Sequence, residues 1–301
     1  MKKILVVITH RGLGDLIYLL PLLKSLHDSY NTKIDILSNK TNKAQYIYQN
    51  ENFINSIDTF DLNHKNLIFN VRDKLNYLKK INSYNADLLI VTGRHSSLII
   101  PFHLSNAKHK KMFGLSFFNS KEKESKNLLS SESIFENTKK LKLKKFINNF
   151  ELNSGNISDK ENNIFINLDS HHGQNNWKIK NFLFLVNSIK LNYDNIFINF
   201  SPYHKYILNE IPKDFQKIRN VCFTYNFTFP KIIDTIKNCK IILGNESGPI
   251  CLGLAFKKRV FSIYSEQHTR PESSLIGGEV EYFNSSKMND NDIIKDILKK
   301  I

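Results

Sequence analysis

Short apolar runs alternate with segments of helical periodicity along nearly the whole chain. These runs are residues 4–8, 33–37, 86–91, 163–168, 195–199, 221–224, 240–243 and 259–263. Runs of this length suit strands that are buried on both faces. Strands separated by helices are typical of parallel sheets, so the sequence predicts an α/β fold.

A polar segment, residues 151–162, separates two such series of strands and helices. A chain of 301 residues is long enough for about two domains. We therefore predict two Rossmann-like domains, residues 1–154 and 155–301, with the last helix either in the second domain or packed back on the first. Ligands of such sheets bind beyond the carboxyl ends of the strands, so two facing sheets would form a cleft. A second polar segment, residues 116–133, is predicted to be an exposed loop.

The segment ITHRGLGDLIYLLP, residues 8–21, is typical of a strand end, a glycine turn and a helix. A dinucleotide-binding fingerprint would need a third glycine where the chain has Ile17, and no P-loop sequence is present. Phosphate-binding turns leave backbone N–H groups open, whereas Asp15 brings a carboxylate to this helix start. By itself, Asp15 is explained either as a helix cap or as a functional acid.

The segment ILGNESGPICLGLAF, residues 242–256, repeats the pattern of strand, turn and helix. Glu246, Ser247 and Gly248 occupy the turn, and Pro249 suits the first helical turn. The N–H groups near Ser247 and Gly248, with the Ser247 hydroxyl, would hold a diphosphate, and Glu246 would accept hydrogen bonds from ribose or sugar hydroxyls. A capping turn without a ligand is the equal alternative.

A third segment, INLDSHHGQNNWKIKNF, residues 166–182, leaves another strand and enters a helix near Lys178. Ser170 and His171 are predicted at the carboxyl end of this strand, where His171 would contact a phosphate or a hydroxyl. His171 and His172 do not suit a shared metal ion, because adjacent residues of an extended chain point to opposite sides.

The chain is basic, with 43 Lys and Arg residues against 28 Asp and Glu residues and a formal charge of +15. This charge indicates an anionic partner such as nucleic acid, a phospholipid surface or a phosphorylated substrate, although a lysine-rich composition would explain part of it. The 3 cysteines lack C-x-x-C spacing and favour a reducing, cytoplasmic location. No apolar stretch approaches the roughly 20 residues that cross a bilayer, so any membrane contact is expected to be peripheral.

Together these segments resemble glycosyltransferase family 9, the heptosyltransferase family of lipopolysaccharide core assembly. RGLGDLIYLLPLLKSL resembles the family opening S-x-G-D-x-x-x-x-x-P-x-x-x-x-L, and NNWKIKNF resembles its segment around K-x-W-P. GNESGPICLGLAF resembles its signature G-x-D-[ST]-G-x-x-H-L-x-x-A. ADLLIVTGRHSSLIIPFHLSNAKHKKMFGL is similar to its fourth strand and the helix that follows. The matches keep the family's order over nearly the whole chain.

The resemblance implies the GT-B architecture, with the acceptor bound mainly by the first domain and a nucleotide-sugar donor mainly by the second. It implies an inverting, metal-independent transfer of a heptose or a related sugar to a lipopolysaccharide core or a similar surface glycan. Asp15 would be the general base on the acceptor hydroxyl. No cofactor is expected besides the nucleotide sugar, for which the family suggests ADP-heptose. The sequence Asp290-Asn291-Asp292 is predicted to cap a helix rather than to bind a metal.

The resemblance also assigns further site residues by position. Donor contacts are predicted for Ser170, His171, Asn175, Trp177, Lys178, Glu246, Ser247, Gly248 and Cys251, and acceptor contacts for Arg11, Gly12, Gly14 and Arg94. Compared with the family pattern, Asn175 replaces a lysine, Glu246 an aspartate and Cys251 a histidine. These changes indicate an altered donor or a loss of activity.

The predicted acceptor is an anionic glycolipid or oligosaccharide at the cytoplasmic face of the inner membrane. Basic residues of the first half are candidates to meet its phosphates or the lipid surface, namely Arg72, Lys74, Arg94, Lys108, Lys110 and Lys111. Two other function classes fit parts of the sequence. A sugar-nucleotide epimerase of GT-B-like fold would convert a donor without an acceptor. A nucleic-acid-binding protein would account for the charge, but the chain has no recognisable nucleic-acid-binding motif.

Overall fold

The computed structural model describes residues 1–9, 12–61, 71–93, 96–113, 130–153, 162–170, 176–265 and 271–301. The chain divides into two compact units, Met1–Leu152 and Asn153–Ile301. The boundary that the sequence predicts after residue 154 is about two residues from this division. Each unit contains a parallel sheet with helices, which confirms the predicted α/β class.

The N-terminal unit is built on a five-stranded parallel sheet with the order β3-β2-β1-β4-β5. Its strands are β1 (Ile4–Ile8), β2 (Ile34–Asn39), β3 (Ile54–Phe60), β4 (Leu88–Thr92) and β5 (His109–Met112). All residues of β1 and β4 are buried, as expected of central strands covered on both faces. The strand order reverses between β1 and β4, the position where ligands of such sheets bind.

The helices of this unit cover the sheet with their apolar sides. They are α1 (Leu13–Tyr18), α2 (Leu20–Tyr30), α3 (Ala44–Tyr48), α4 (Val71–Ser83), α5 (Ser96–Leu104) and α6 (Ser130–Lys140). Tyr77 of α4 and Phe102 of α5 belong to one core cluster with Leu5 and Val91 of the sheet. The predicted loop 116–133 is wrong in its last residues, since α6 begins at Ser130, and its residues 116–129 lie outside the described residues.

The C-terminal unit has a six-stranded parallel sheet with the order β11-β10-β9-β6-β7-β8. Its strands are β6 (Asn163–Asn167), β7 (Asn195–Asn199), β8 (Val221–Phe223), β9 (Ile241–Asn245), β10 (Arg259–Tyr264) and β11 (Val280–Asn284). Its helices are α7 (Ile179–Ile189), α8 (Ile207–Glu210), α9 (Phe229–Lys237), α10 (Gly248–Ala255) and α11 (Asp290–Lys300), with 3-10 turns at Pro202–His204, Phe215–Lys217 and Glu272–Leu275. Here the strand order reverses between β6 and β9.

The last helix, α11, contacts α7. Its Ile293, Ile294 and Ile297 are buried in the core cluster of the C-terminal unit. Of the two placements that the sequence left open, the structure therefore gives this helix a place in the second unit's core. The strands β3, β5 and β11 were not among the predicted runs.

Candidate active site

Asp15 lies in the first turn of α1, the helix that follows the carboxyl end of β1. The backbone N–H of Gly12, the residue that caps this helix, donates to Asp15 Oδ2 at 3.2 Å. A Cβ on Gly12 would stand 2.9 Å from the same oxygen, so the carboxylate is folded closely over the turn. Asp15 is half-buried. The residue thus contacts the cap of its helix and also presents an acid at the switch point of the sheet.

The residues of α1 that follow Asp15 are held in the core of the N-terminal unit. Leu16 and Ile17 are fully buried, so Ile17 packs a side chain where a dinucleotide fingerprint would have a glycine. The Tyr48 hydroxyl donates to the Leu16 carbonyl oxygen at 2.5 Å. Burial raises the pKa of Tyr48, and the charges of Glu51 and Asp15 raise it further, so this phenol remains a neutral donor.

A hydrogen bond connects the carboxyl ends of the neighbouring strands β1 and β4. The Thr9 hydroxyl, just after β1, donates to the carbonyl oxygen of Thr92 at the end of β4. Gly93 follows with a φ of 91°, a left-handed conformation that favours glycine. Gly14 is half-buried in the first turn of α1. Arg11 and Arg94 lie outside the described residues, so the acceptor contacts assigned to these residues stay predictions.

At the switch point of the second sheet, Ser247 precedes the first turn of α10. The first N–H groups of a helix have no partner within it, and Gly248 supplies one of them while Pro249 has none to supply. The Ser247 hydroxyl donates to the Asn245 carbonyl oxygen at 2.7 Å and accepts from Asn167 Nδ2 at 3.0 Å. In this arrangement the hydroxyl hydrogen is already committed to the protein, and the open group at the turn is the backbone.

A line of hydrogen-bonded amide and hydroxyl side chains, which sequence reasoning missed, joins the carboxyl ends of four strands. The Thr224 hydroxyl donates to Asn199 Oδ1 at 2.7 Å, and Asn199 Nδ2 donates to Asn167 Oδ1 at 2.6 Å. Asn167 in turn donates to Ser247. The signal was present in the sequence, because β6 and β7 are both NIFIN and β9 also ends in asparagine. Parallel pairing sets the final asparagines of β6 and β7 side by side.

Glu246 faces a 3-10 turn of its own unit. Its Oε1 accepts from the Ser273 N–H at 2.8 Å, and its Oε2 accepts from the Ser273 hydroxyl at 2.9 Å and from the Ser262 hydroxyl. The Ser273 hydroxyl lies 3.2 Å from the Tyr282 hydroxyl. Burial raises the pKa of Tyr282. The hydrogen bond with Ser273 lowers this pKa, and the charge of Glu246 raises it further. Glu246 therefore holds this turn on β9 and β10, and its contact with ribose or sugar hydroxyls stays a prediction.

Trp177 fastens the loop after β6 to the last helix. Its backbone N–H donates to Asn245 Oδ1 at 2.9 Å and its indole Nε1 donates to Asp290 Oδ1 at 2.7 Å. The ring is 3% exposed and meets Phe182 edge-on, with 4.9 Å between the ring centroids. Asp290 is the first residue of α11, and the cap that precedes it is Asn289. The Asp290-Asn291-Asp292 sequence thus stands at a helix start, and its Asp290 binds an indole.

Of the remaining predicted donor residues, three lie within the described part of the chain. Ser170 donates its hydroxyl to Asn176 Oδ1 at 2.6 Å, Lys178 is exposed at the start of α7, and Cys251 is buried in α10. His171 and Asn175 lie outside the described residues. Within the part of the chain that the structure describes, no three His, Cys, Asp or Glu side chains gather as a metal site would require.

Of the comparisons with known proteins, the one with solved structures identifies the fold. No protein-family profile and no curated protein sequence matches the chain. Among solved structures, a glycosyl transferase family 9 protein from Veillonella parvula is similar with a TM-score of 0.74 and 14% identity, over 99% of this chain and 89% of that one. E. coli heptosyltransferase WaaC, solved with ADP-2-deoxy-2-fluoro heptose, is similar with a TM-score of 0.73 and 12% identity, over 99% of this chain and 100% of that one. A UDP-GlcNAc 2-epimerase from Methanocaldococcus jannaschii has a TM-score of 0.57 and 16% identity, over 98% of this chain and 92% of that one. At these identities the likeness establishes the GT-B fold.

Proposed function

We propose that the protein is an inverting glycosyltransferase that moves a heptose or a related sugar from a nucleoside diphosphate to the glycan of an anionic surface glycolipid. The observation that carries this proposal is the position of Asp15. Its carboxylate stands at the switch point of the N-terminal sheet, where a bound ligand is expected, and the N–H of Gly12 orients it there at 3.2 Å.

In the proposed reaction, Asp15 accepts the proton of the acceptor hydroxyl as that oxygen attacks the anomeric carbon of the donor. The bond from this carbon to the diphosphate breaks, and the nucleoside diphosphate leaves. A carboxylate in this role contributes about 10² to 10⁴ in rate. Inversion follows because a single in-line displacement changes the configuration at the anomeric carbon.

The negative charge on the leaving diphosphate is assigned to the start of α10. The positive end of a helix dipole and the N–H groups of its first turn stabilise an anion there, and Ser247 and Gly248 lie at this point. The Asn167 and Asn245 side chains support the turn through Ser247 and Trp177. This arrangement supports a donor site that works without a metal ion. The fluoro-heptose complex of the similar E. coli enzyme supports ADP-heptose as the first donor to test.

We assign the acceptor's membrane to the outer side of α4 and α5, here called the α4–α5 surface. Both helices bury their inner residues on one face of the sheet and leave four large apolar side chains exposed: Val71, Leu75, Ile100 and Leu104. Exposed Arg72 and Lys79 accompany them on α4. Of the basic residues predicted for this role, Lys108 pairs with Asp87 and Lys110 binds the carbonyl oxygens of His103 and Ser105. No helix of the described residues is long and apolar enough to cross a bilayer.

The test is a panel of nucleotides and nucleotide sugars, first by thermal shift and then by turnover. A ligand at 100 times its dissociation constant stabilises the fold by about 2.7 kcal/mol, which is readily measured. The binding donor is then incubated with and without a lipooligosaccharide core acceptor. Release of nucleoside diphosphate only with the acceptor supports the transferase. Conversion of the nucleotide sugar alone would instead identify an epimerase, the second class among the similar structures.

A further inference from the structure

A buried carboxylate and a histidine form a close pair at the carboxyl edge of the second sheet. Asp169, two residues past the end of β6, is 7% exposed. Its Oδ2 accepts from the backbone N–H of Ser201 at 2.7 Å and lies 2.7 Å from Nδ1 of His204. His204 ends the 3-10 turn that follows β7, so the pair joins the loops of two adjacent strands.

The pair determines which ring nitrogen is open. An ionised carboxylate only accepts, so the hydrogen at Nδ1 of His204 points to Asp169, and Nε2 is the position left for another partner. The His204 side chain is 31% exposed, and its ring meets Tyr206 edge-on with 5.7 Å between the centroids. Among the described residues, no hydrogen-bond partner lies at Nε2. The imidazole is therefore held on one side and open on the other.

The loop that carries this nitrogen also carries a cationic side chain. His204 follows β7, which pairs with β6. On its other side β6 pairs with β9, the strand that leads into α10. Lys205 follows His204 with its ammonium 5.6 Å from the Tyr225 ring centroid, which adds a second cationic side chain to the same loop. The nearby carboxylate of Asp169 is buried, and Glu246 is engaged with Ser262 and Ser273.

We propose that His204 binds a phosphate group of the donor nucleotide through Nε2, with Asp169 as its positioning residue. The proposal rests on the proposed function, because it places this contact in the same nucleotide-sugar site. In the protonated ring, Nε2–H donates to a phosphate oxygen while Nδ1–H donates to Asp169. Such charge-assisted bonds are short and directional. His204 would supply positive charge in a chain that has Asn175 where the resembling family has a lysine.

Inorganic pyrophosphate is the probe, because it carries the phosphate chemistry without a base or a sugar. We expect its dissociation constant, measured calorimetrically, to rise by about 10-fold or more in His204→Gln, the loss typical of one hydrogen bond to a charged group. His109→Gln, an exposed histidine of the N-terminal unit, is the matched control and should leave this constant unchanged. Absence of pyrophosphate binding, or equal binding by His204→Gln and the wild type, would overturn the proposal.

The positioning role of Asp169 is tested by a double-mutant cycle and by a spectroscopic signature. Asp169→Asn should weaken pyrophosphate binding in the wild-type background and have no further effect in the His204→Gln background. In the ¹⁵N spectrum of labelled histidine, Asp169→Asn should shift the Nδ1 resonance of His204, which a remote structural effect would not move. Additive losses or an unchanged resonance contradict the role. If binding follows these expectations but no sugar is transferred, the anion site stands and the proposed function fails.

Discussion

At the scale of single residues, the start of α1 combines a helix cap with a candidate catalytic acid. The cap bond from Gly12 N–H to Asp15 Oδ2 is 3.2 Å long, and it orients a carboxylate that the proposed reaction needs. An aspartate at a helix start is common for capping alone. Its position at a switch point is what favours a second role, and that position depends on the order of the strands, which the local sequence does not contain.

Gly12→Ala tests this orientation without removing the acid. The backbone of Gly12, with φ −72° and ψ 144°, is compatible with alanine, so only the contact 2.9 Å from Asp15 Oδ2 is disturbed. We expect the carboxylate to rotate away and the transfer rate to fall by about 10-fold or more, because small misplacements of reacting groups are costly. Thermal unfolding should remain close to wild type. Normal turnover by this variant would contradict the assigned orientation.

Asp290 gives a prediction about acid stability. Desolvation acts to raise its pKa, but contacts from Asn181 and the Trp177 indole and the charges of Lys178 and Lys180 outweigh it and lower the pKa below 3.8. The folded chain therefore binds this proton more weakly than the unfolded chain. The resulting stability is present above pH 3.8 and is lost as the pH falls through the lowered value.

We expect Asp290→Asn to lower the free energy of unfolding by about 1 kcal/mol near neutral pH, since the amide oxygen still accepts from Trp177 but without charge. The difference from wild type should shrink below pH 3.8. Asn291→Ala, at an exposed position without a titratable side chain in the same helical turn, should show no such trend. Denaturant unfolding across this pH range makes the comparison, and a difference independent of pH would refute the linkage.

The hydrogen-bond partners that the predicted site residues have within the protein were the least accessible to sequence reasoning. Trp177 was predicted to contact the donor, and the structure shows its indole bound to Asp290, 113 positions along the chain. Ser247 was predicted to donate to a diphosphate, and its hydrogen goes to the Asn245 carbonyl oxygen in the present arrangement. A motif shows which side chains stand at a turn, but their hydrogen-bond partners depend on other strands.

At the scale of elements, the central strands were predictable, and of the outer strands only β8 was. The strands β1, β4 and β6 are wholly buried, and β1 and β4 therefore appear as nearly continuous apolar runs, while β6 has three apolar residues between two asparagines. The strands β3 and β5 are the edges of the first sheet, and each is partly exposed, so polar residues interrupt their apolar pattern. β11, an edge of the second sheet, shows the same effect. Burial on both faces thus made the central strands recognisable, whereas the half-buried edge strand β8 was predicted from its short apolar run, Val221–Phe223.

The close approach of β9 to β6 yields a stability prediction. Gly244 has a φ of 154°, and a Cβ there would stand 2.3 Å from the Asn167 carbonyl oxygen. Gly277 has a φ of 72°, and no atom lies within 4 Å of the point where its Cβ would stand, so alanine there adds only backbone strain. We expect Gly277→Ala to cost about 1 to 2 kcal/mol and Gly244→Ala about 3 kcal/mol or more. Equal losses in chemical denaturation would show that β9 and β6 are less closely packed.

The α4–α5 surface yields a prediction about lipid binding. Leu75 and Leu104 are 50% and 63% exposed, and burying a leucine in an apolar phase is worth about 1.5 to 3 kcal/mol. We expect the double variant Leu75→Ser, Leu104→Ser to bind phosphatidylglycerol vesicles at least about 10-fold more weakly than wild type. Each basic residue near an anionic leaflet adds about 1 kcal/mol, so added salt should weaken wild-type binding.

The matched control is Leu191→Ser, a leucine of the C-terminal unit that is 92% exposed. It should sediment with the vesicles as the wild type does. Equal binding of the wild type to phosphatidylcholine and phosphatidylglycerol vesicles, or binding that does not change with salt, would contradict the membrane part of the proposal. The formal charge of +15 would then be explained by the lysine-rich composition.

At the scale of the whole molecule, two units of the same architecture present different side chains at corresponding places of their sheets. Each parallel sheet reverses its strand order once, and at each reversal a helix begins, α1 with Asp15 and α10 with Ser247 and Gly248. The sequence was sufficient to predict both helix starts, because they depend on local patterns, and the predicted boundary after residue 154 is about two residues from the division between the compact units. The donor sugar, the base and the acceptor depend on the shape of the bound site and were not predictable.

The central claim is most directly tested by the transfer rate of Asp15→Asn with the donor that the nucleotide panel identifies. We predict that the wild type releases nucleoside diphosphate in an acceptor-dependent reaction and that the variant does so about 10² to 10⁴ times more slowly. Its donor dissociation constant and its thermal unfolding should match the wild type, because the carboxylate is assigned to the acceptor and an amide preserves its shape. Normal turnover by Asp15→Asn would reduce Asp15 to a helix cap and contradict the proposed mechanism.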